Sequence, residues 1–129
     1  MNKIYVDWKE FGIMIDKLAE KIKASKEEFD GVYGPPRGGL PIAVVLSHSL
    51  NLKLLLYPTK DTLVVDDISD TGRTLTSHKN KKIATLFSTE WTSTKPDWFI
   101  EKKLNKTDWI VFPWEEEMNE RQTTLDEFK

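Results

Sequence analysis

An acidic turn follows a wholly apolar strand near the middle of the chain, and this junction restricts the fold more than any other feature. Residues 62–75 read Thr-Leu-Val-Val-Asp-Asp-Ile-Ser-Asp-Thr-Gly-Arg-Thr-Leu. A continuous apolar run such as 63–65 is typical of strands that are covered on both faces, as in parallel sheets. Asp66 and Asp67 therefore fall at the carboxyl end of a buried strand, where open α/β sheets bind their ligands.

The residues after the acidic pair have the composition of an anion-binding turn. Asp70 is followed by Thr71, Gly72, Arg73 and Thr74. They supply backbone N–H groups, two threonine hydroxyls and a glycine able to adopt a positive φ. A helix beginning near Gly72 would add its unpaired N–H groups and the positive end of its dipole. We expect the turn to bind the phosphate of a sugar phosphate whose hydroxyl groups face the acidic pair.

Helical and strand patterns alternate on both sides of this junction. A capping box at Asp7 and Glu10 precedes the first helical pattern. Apolar spacing predicts helices over 8–24, 41–51 and 71–79. Short apolar segments predict strands at 29–33, 52–57, 63–65, 83–87, 98–100 and 108–112. The alternation favours an α/β fold, a parallel sheet with helices on both faces.

Composition and charge narrow the class of protein. The chain has 129 residues, of which 39% are hydrophobic and 31% charged, as in a single globular domain. We assign residues 1–115 to that domain and 116–129 to an acidic C-terminal tail. The formal net charge is -2, and no basic cluster is interleaved with aromatic residues, which argues against nucleic acid as a partner.

The absence of certain residue types and segments also bears on the compartment and on metal binding. The chain has no cysteine, which excludes disulfides and thiolate metal sites and fits a cytoplasmic protein. No segment approaches the roughly 20 apolar residues that span a membrane, and the N-terminus lacks an apolar export signal. His48 and His78 have no second ligand at metal spacing, so neither is assigned to the site. We expect a cytoplasmic protein with no membrane partner.

Three motifs together resemble those of a known family. Residues 64–75 resemble the signature with which type I phosphoribosyltransferases bind 5-phosphoribosyl-1-pyrophosphate (PRPP): an apolar strand, Asp-Asp, two residues, Asp-Thr-Gly, one residue and Thr. Residues 37–39, Arg-Gly-Gly, are similar to the pyrophosphate-binding loop of that family. Residues 109–115 resemble the ending of its xanthine-guanine and hypoxanthine branch. The motifs keep the family's order over residues 8–115.

The resemblance implies a fold and an activity. It implies a five-stranded parallel core with flanking helices and a small C-terminal hood that recognises the base, assembled as a homodimer or homotetramer. It implies a transferase of purine salvage that moves the 5-phosphoribosyl group of PRPP to guanine, xanthine or hypoxanthine. The products are a nucleoside monophosphate and pyrophosphate, and Mg²⁺ is the implied cofactor.

The resemblance also assigns roles in PRPP binding and catalysis. Asp66 and Asp67 hold the ribose hydroxyls, directly or through Mg²⁺, so both are candidate metal ligands. Asp70 is the candidate to accept a proton from the purine imidazole, and Arg37 assists departure of pyrophosphate. The full set expected to bind PRPP is Arg37, Gly38, Gly39, Asp66, Asp67, Asp70, Thr71, Gly72, Arg73 and Thr74.

The expected nucleobase site departs from the family pattern at one position. Trp109 is expected to stack on the base, and the backbone of Ile110 to hydrogen-bond its edge. Relatives in the 6-oxopurine branch carry a lysine shortly after the strand at 83–87, facing the exocyclic oxygen. Thr89 and Glu90 stand there instead, so Lys95 is the candidate to take that role.

A second departure leaves an alternative function open. Family enzymes carry a long mobile lid between the second strand and the PRPP strand, but only residues 58–61 separate Tyr57 from Thr62 here. The lid is therefore largely missing, and hydrolysis of PRPP would compete with transfer. The alternative is a regulator or sensor that binds PRPP or a nucleotide without catalysis. The sequence leaves the natural base and the oligomer number open.

Overall fold

The chain forms two compact units in the computed structural model, which describes residues 2–115. Residues 2–13 with 105–115 make the small unit, and residues 14–104 make the large unit. The predicted acidic tail, 116–129, lies outside the described residues. Eight helices and strands are described in chain order, and a 3₁₀ turn lies at Thr76–His78. They are β1 (Lys3–Tyr5), α1 (Trp8–Ser25), β2 (Val32–Tyr33), α2 (Gly39–Ser49), β3 (Leu63–Ser69), β4 (Lys82–Ser88), β5 (Glu101–Lys102) and β6 (Trp109–Val111).

The small unit joins the two ends of the described chain. Strands β1 and β6 pair in parallel, with Ile4 opposite Ile110. The predicted cap of α1 is present, because the Glu10 N–H donates to Asp7 Oδ1 at 2.7 Å. Trp114 packs edge-on against Phe11, with ring centroids 5.4 Å apart. Aromatic packing therefore stabilises this unit around the start of α1.

The large unit contains a four-stranded parallel sheet in the order β2-β3-β4-β5. Helix α2 packs on β2 and β3. Residues 63–65 of β3 and the apolar side chains of β4 are almost completely buried, which explains the apolar runs in these strands. The predicted α/β fold with a parallel sheet is confirmed. No helix in the described part of the chain has both the length and the apolar character needed to cross a membrane.

The strand predicted at 52–57 is wrong beyond one residue. Leu54 makes a single parallel bridge to Val32, so the fifth strand that the family resemblance implies is reduced to one bridge. Leu56 and Tyr57 are 77% and 83% exposed. The cause is geometric: Leu63 also pairs with Val32, so the chain must turn back immediately after Leu54 to begin β3. The apolar run at 52–57 therefore predicts a strand where the chain has to turn.

The helix predicted at 71–79 is also wrong, because only the 3₁₀ turn at Thr76–His78 forms. Gly72 has a φ of +89°, which a right-handed helix excludes. The Gly72 carbonyl accepts hydrogen bonds from the hydroxyls of Thr76 and Thr94, at 2.8 and 2.9 Å. Side-chain donors therefore occupy a carbonyl that a helix would use for its own ladder.

The remaining predicted elements are present with changes at their ends. Helix α1 ends one residue later than predicted, and α2 begins two residues earlier, at Gly39. The strand predicted at 63–65 continues through the acidic pair to Ser69, and the one predicted at 29–33 is reduced to Val32–Tyr33. The strand predicted at 98–100 is represented by a bridge between Trp98 and Ala84, with β5 following at 101–102.

The contrast between buried and exposed leucines yields a stability test. Leu86 on β4 is 0% exposed, whereas Leu56 is 77% exposed. We expect Leu86→Ala to lower the free energy of unfolding by about 2–5 kcal/mol, because it leaves a cavity in the core. Leu56→Ala should change it by less than about 0.5 kcal/mol. Urea unfolding followed by circular dichroism measures both, and an equal loss in the two variants would contradict the turn at 55–62.

Candidate functional site

An open cleft of about 340 Å³ lies at the carboxyl end of β3 in the large unit. Three segments line it: the loop at 35–38, residues 66–68, and the turn residues Asp70, Thr71 and Thr74. The two motifs that the sequence separates by about thirty positions thus share one cleft, as expected for the carboxyl edge of a parallel sheet.

Close backbone contact brings the loop to the acidic pair. A Cβ atom on Gly39 would lie 2.6 Å from the Val65 carbonyl oxygen, and one on Gly38 would lie 2.6 Å from Asp67 Oδ2. At Gly39 the neighbour is backbone, so only glycine lets the loop rest on β3 there, whereas a side chain at position 38 would displace the Asp67 carboxylate. Arg37, next to it, is exposed and lines the cleft. The peptide bond between Pro36 and Arg37 is cis.

The acidic pair lies at the base of the cleft. Asp66 is 6% exposed, and Asp67 is half-buried. Backbone donors fix both carboxylates: the Asp67 N–H donates to Asp66 Oδ1 at 2.9 Å, and the Ile68 N–H donates to Asp67 Oδ1 at 2.8 Å. Burial, then repulsion from Asp67, raises the pKa of Asp66 to about 8, and burial also raises the pKa of Asp67. A cation bound at this end of the cleft would stabilise the ionised forms of both carboxyl groups.

The donor chemistry of the pair fits a hard divalent cation. Mg²⁺ is usually bound by one or two carboxylates and completes its shell with water and substrate phosphate oxygens. Asp66 and Asp67 supply such carboxylates, and a cation beside them would relieve their mutual repulsion. Within residues 2–115, no group of three or more His, Asp or Glu side chains is arranged to hold a metal ion. Further ligands would therefore come from a bound phosphate compound or from water.

The turn at 70–74 is tied to the following loop through its carbonyl oxygens. The Asp70 carbonyl accepts from Thr89 Oγ1 at 2.6 Å, and the Thr71 carbonyl accepts from the Ser93 N–H at 2.9 Å. The Gly72 carbonyl accepts from Thr94 Oγ1 at 2.9 Å. Three consecutive carbonyl groups therefore face residues 89–94.

The orientation of those carbonyls determines where the amide groups point. In a planar trans peptide the C=O bond and the following N–H bond point in opposite directions. The N–H groups of Thr71, Gly72 and Arg73 therefore face away from residues 89–94. The Thr71 hydroxyl lies with them, because the Arg73 N–H donates to it at 3.4 Å. Adjacent N–H groups that point to one side have the chemistry to bind an anion, and no helix is needed for this.

Asp70 has partners that sequence reasoning missed. The Trp91 indole donates to Asp70 Oδ1 at 2.8 Å, and the Lys103 ammonium donates to Asp70 Oδ2 at 2.6 Å. The Lys103 side chain is 6% exposed, whereas the Asp70 side chain is 33% exposed and reaches the cleft. Trp91 lies in the loop after β4, and Lys103 follows two other charged residues. No local pattern in the sequence marks either contact.

Three residues of the expected PRPP set do not line the cleft. Gly39, Gly72 and Arg73 do not line it, since Gly39 packs on Val65 and Gly72 is directed to residues 92–94. The members of the expected PRPP set that line it are Arg37, Gly38, Asp66, Asp67, Asp70, Thr71 and Thr74.

The expected nucleobase residues lie elsewhere. Lys95 lines a second cavity of about 330 Å³ in the large unit, together with Thr89 and Glu90. Trp109 and Ile110 belong to the small unit; Trp109 is 55% exposed, and Ile110 is buried. Thr89, at the position where relatives carry lysine, donates its hydroxyl to the Asp70 carbonyl. That position therefore braces the turn in this chain.

Comparison with known proteins agrees with this geometry. The chain is 35% identical to the purine phosphoribosyltransferase from Pyrococcus horikoshii Ot3, whose crystal structure superposes with a TM-score of 0.75 over 89% of this chain and 95% of that one. The xanthine-guanine phosphoribosyltransferase of Idiomarina loihiensis is 26% identical over 143 residues, covering 88% of each sequence. The Helicobacter pylori xanthine-guanine-hypoxanthine phosphoribosyltransferase, 20% identical, shares the fold with a TM-score of 0.74 over 95% of this chain and 99% of that one. A scan against protein-family models finds no match.

The parallel sheet, with the cleft at its carboxyl edge, has the fold of the type I phosphoribosyltransferases. Within that class, the chain belongs to the purine phosphoribosyltransferases, near the xanthine-guanine branch. The family resemblance noted in the sequence is thereby confirmed.

The buried acidic pair predicts an unusual dependence of stability on pH. Asp66 has a pKa of about 8 in the folded protein against an ordinary value of 3.8, so the folded state holds the extra proton between these values. Stability in metal-free buffer should therefore fall as the pH rises through that window. Asp66→Asn is neutral at every pH and should weaken this fall. We expect its advantage in melting temperature over the parent to grow between about pH 5 and about pH 9.

Differential scanning fluorimetry in EDTA measures this difference. Asp61→Asn, an exposed aspartate just before β3, provides the control and should follow the parent. Parallel curves for the parent and Asp66→Asn would show that the buried carboxyl does not titrate in this way.

Proposed function

We propose that the chain transfers the 5-phosphoribosyl group of PRPP to a 6-oxopurine base, guanine, xanthine or hypoxanthine, giving a nucleoside monophosphate and pyrophosphate. The observation that carries the proposal is the turn at 70–74, whose carbonyls are bound to residues 89–94 so that the N–H groups of residues 71–73 point away from that loop. Arg37 and the acidic pair line the same cleft. Two phosphate-binding elements flanking two carboxylates suit a pentose that carries phosphate at both ends.

The proposed binding mode follows the charges of the cleft. The turn binds the 5′-phosphate through the N–H groups of residues 71–73 and the hydroxyls of Thr71 and Thr74. Arg37 and the Gly38 backbone bind the pyrophosphate, since a guanidinium fork matches phosphate oxygens. Asp66 and Asp67 bind the ribose hydroxyls and hold Mg²⁺. That ion would neutralise charge on the pyrophosphate when bound.

The proposed reaction forms one bond and breaks one. A nitrogen of the base attacks the anomeric carbon of PRPP, and the bond from that carbon to the pyrophosphate oxygen breaks, with its electron pair leaving on pyrophosphate. The two carboxylates at the base of the cleft stabilise positive charge on the ribose ring in the transition state. Asp70 accepts the proton that the purine imidazole loses; the Trp91 indole N–H and the Lys103 ammonium hold its side chain in place.

Recognition of the base is proposed for three residues. Trp109 stacks on the purine; its exposure of 55% leaves surface for such a contact. The Ile110 backbone hydrogen-bonds the edge of the base. Lys95 faces the exocyclic oxygen. We further propose that the protein works in the cytoplasm as a homodimer or homotetramer, in line with the family resemblance.

A short link at residues 58–61 stands where the family resemblance implies a lid. The link that replaces it is bound to Asp30 by the hydroxyls of Thr59 and Thr62, and these two hydrogen bonds lower the pKa of Asp30. Leu54 and Leu63 both pair with Val32, the first residue of β2, so the link lies at the amino end of the strands. The cleft opens at the carboxyl end. This link therefore does not cover the cleft, and we expect some PRPP to be lost to water.

A direct assay tests the function. We expect incubation of the protein with PRPP, Mg²⁺ and single bases to yield nucleotide and pyrophosphate with guanine, xanthine or hypoxanthine, and not with adenine, uracil or orotate. Chromatography of the products also measures ribose 5-phosphate formed by hydrolysis. Binding of PRPP without nucleotide from any base would favour the non-catalytic sensor, for which the named relatives give no support. Product with only adenine would overturn the proposed base class.

Gly38 provides a test of the pyrophosphate loop. In Gly38→Ala the new Cβ would lie 2.6 Å from Asp67 Oδ2, so the carboxylate must move. A misplacement of about 1 Å near a reacting centre can lower activity by about 100-fold. We expect a fall of this order in kcat/KM for Gly38→Ala.

The matched control is Gly12→Ala on α1, where a Cβ meets no atom within 4 Å. It should retain the parent's kcat/KM and gain up to about 1 kcal/mol of stability. Full activity in Gly38→Ala would contradict the role of the loop. Both variants are compared by initial rates and by melting temperature, so that loss of fold is distinguished from loss of function.

A further inference from the structure

The Asp70 carboxylate is held on both sides by groups that the proposed reaction does not use. Lys103 Nζ lies 2.6 Å from Asp70 Oδ2, and Trp91 Nε1 lies 2.8 Å from Asp70 Oδ1. These partners come from positions 33 and 21 residues further along the chain. With Thr89 on its carbonyl, Asp70 is bound by three side chains of the large unit.

Burial distinguishes Lys103 from the other ion-paired lysines of the described chain. Its side chain is 6% exposed, whereas those of Lys82 and Lys102 are 49% and 48% exposed. Removing an ammonium from water is costly, and such a pair is weak evidence for stability in itself. A surface lysine would serve stability equally well. The placement of a buried cation on this carboxylate therefore points to a role at the cleft.

The ion pair between Lys103 and Asp70 has two consequences for the turn at 70–74. Asp70 is the first residue of the turn, so fixing its side chain and its carbonyl fixes the direction in which the Thr71 N–H points. The ammonium also offsets the Asp70 charge in a cleft already lined by Asp66 and Asp67. Three uncompensated carboxylates would repel the phosphate groups of PRPP.

We propose that Lys103, assisted by Trp91, is a positioning residue for PRPP: it holds Asp70 so that the turn at 70–74 presents its N–H groups to the 5′-phosphate. This inference rests on the proposed function, since PRPP is the ligand of that site. Lys103 contacts Asp70 and acts through it; it is not assigned a contact with the substrate or with the base.

The test is a comparison of PRPP affinity in lysine variants. Lys103→Met keeps the length of the side chain and removes its charge. We expect it to weaken PRPP binding, measured by isothermal titration calorimetry with Mg²⁺, by about tenfold or more, because a charge-assisted contact that orders the turn is lost. In kinetics the KM for PRPP should rise by a similar factor while the KM for the base stays within about twofold.

Two further lysine variants separate positioning from general stability. Lys103→Arg keeps the charge and should restore PRPP affinity to within about threefold of the parent. Lys82→Met removes an exposed ion pair with Glu27 on the amino end of β4 and should leave PRPP affinity unchanged. If Lys103 had only a structural role, Lys103→Met would lower the melting temperature and the fraction of active protein, and therefore the apparent kcat. The KM for PRPP would then stay within about twofold of the parent. That result would overturn the inference.

A second substitution keeps the inference testable if Lys103→Met does not fold. Trp91→Phe retains an aromatic ring and removes the N–H that donates to Asp70. It should weaken PRPP binding in the same direction, and unchanged affinity would count against the proposal. Failure of the parent itself to bind PRPP would reject the proposed function, whereas a parent and a folded variant that bind PRPP equally would reject only the role of Lys103.

Discussion

The hydrogen bonds that tie the carbonyls of residues 70–72 to residues 89–94 are the interaction on which the site depends. They involve hydroxyl and amide donors from Thr89, Ser93 and Thr94, three polar residues after β4. Because a peptide group is rigid, satisfying its oxygen on one side presents its N–H on the other. Three successive amide groups are thereby directed to one side without the helix terminus that the sequence suggested.

The charges of the cleft are balanced through the same turn. The acidic pair is costly to bury, as the raised pKa of Asp66 shows, and it lies in the second half of β3, directly after three fully buried apolar residues. Asp70 adds a third carboxylate, and Lys103 compensates it from the buried side. The cleft thus has strong negative charge only where a cation and ribose hydroxyls are proposed to bind. Unfavourable buried charge of this kind is concentrated at functional sites.

Sequence reasoning predicted the parts of the site that depend on local patterns. An apolar run followed by two acids placed Asp67 at a strand end, and Arg37 before two glycines marked a loop that approaches β3 closely. It anticipated that Gly72 could adopt a positive φ, but not that no α-helix would form after it, since this depends on the distant Thr94 hydroxyl that binds the Gly72 carbonyl. Lys103 and Trp91 were missed for the same reason. Their roles depend on contacts between distant segments, which leave no periodicity.

Binding of ribose 5-phosphate, followed by ¹H–¹⁵N NMR, tests the central claim most directly, because this ligand carries the 5′-phosphate alone. The account predicts that the amide signals of Thr71, Gly72 and Arg73 shift on addition of the ligand, as expected for N–H groups that donate to a phosphate. Saturating shifts confined to other residues, with these three signals unmoved, would show that the turn does not hold the phosphate.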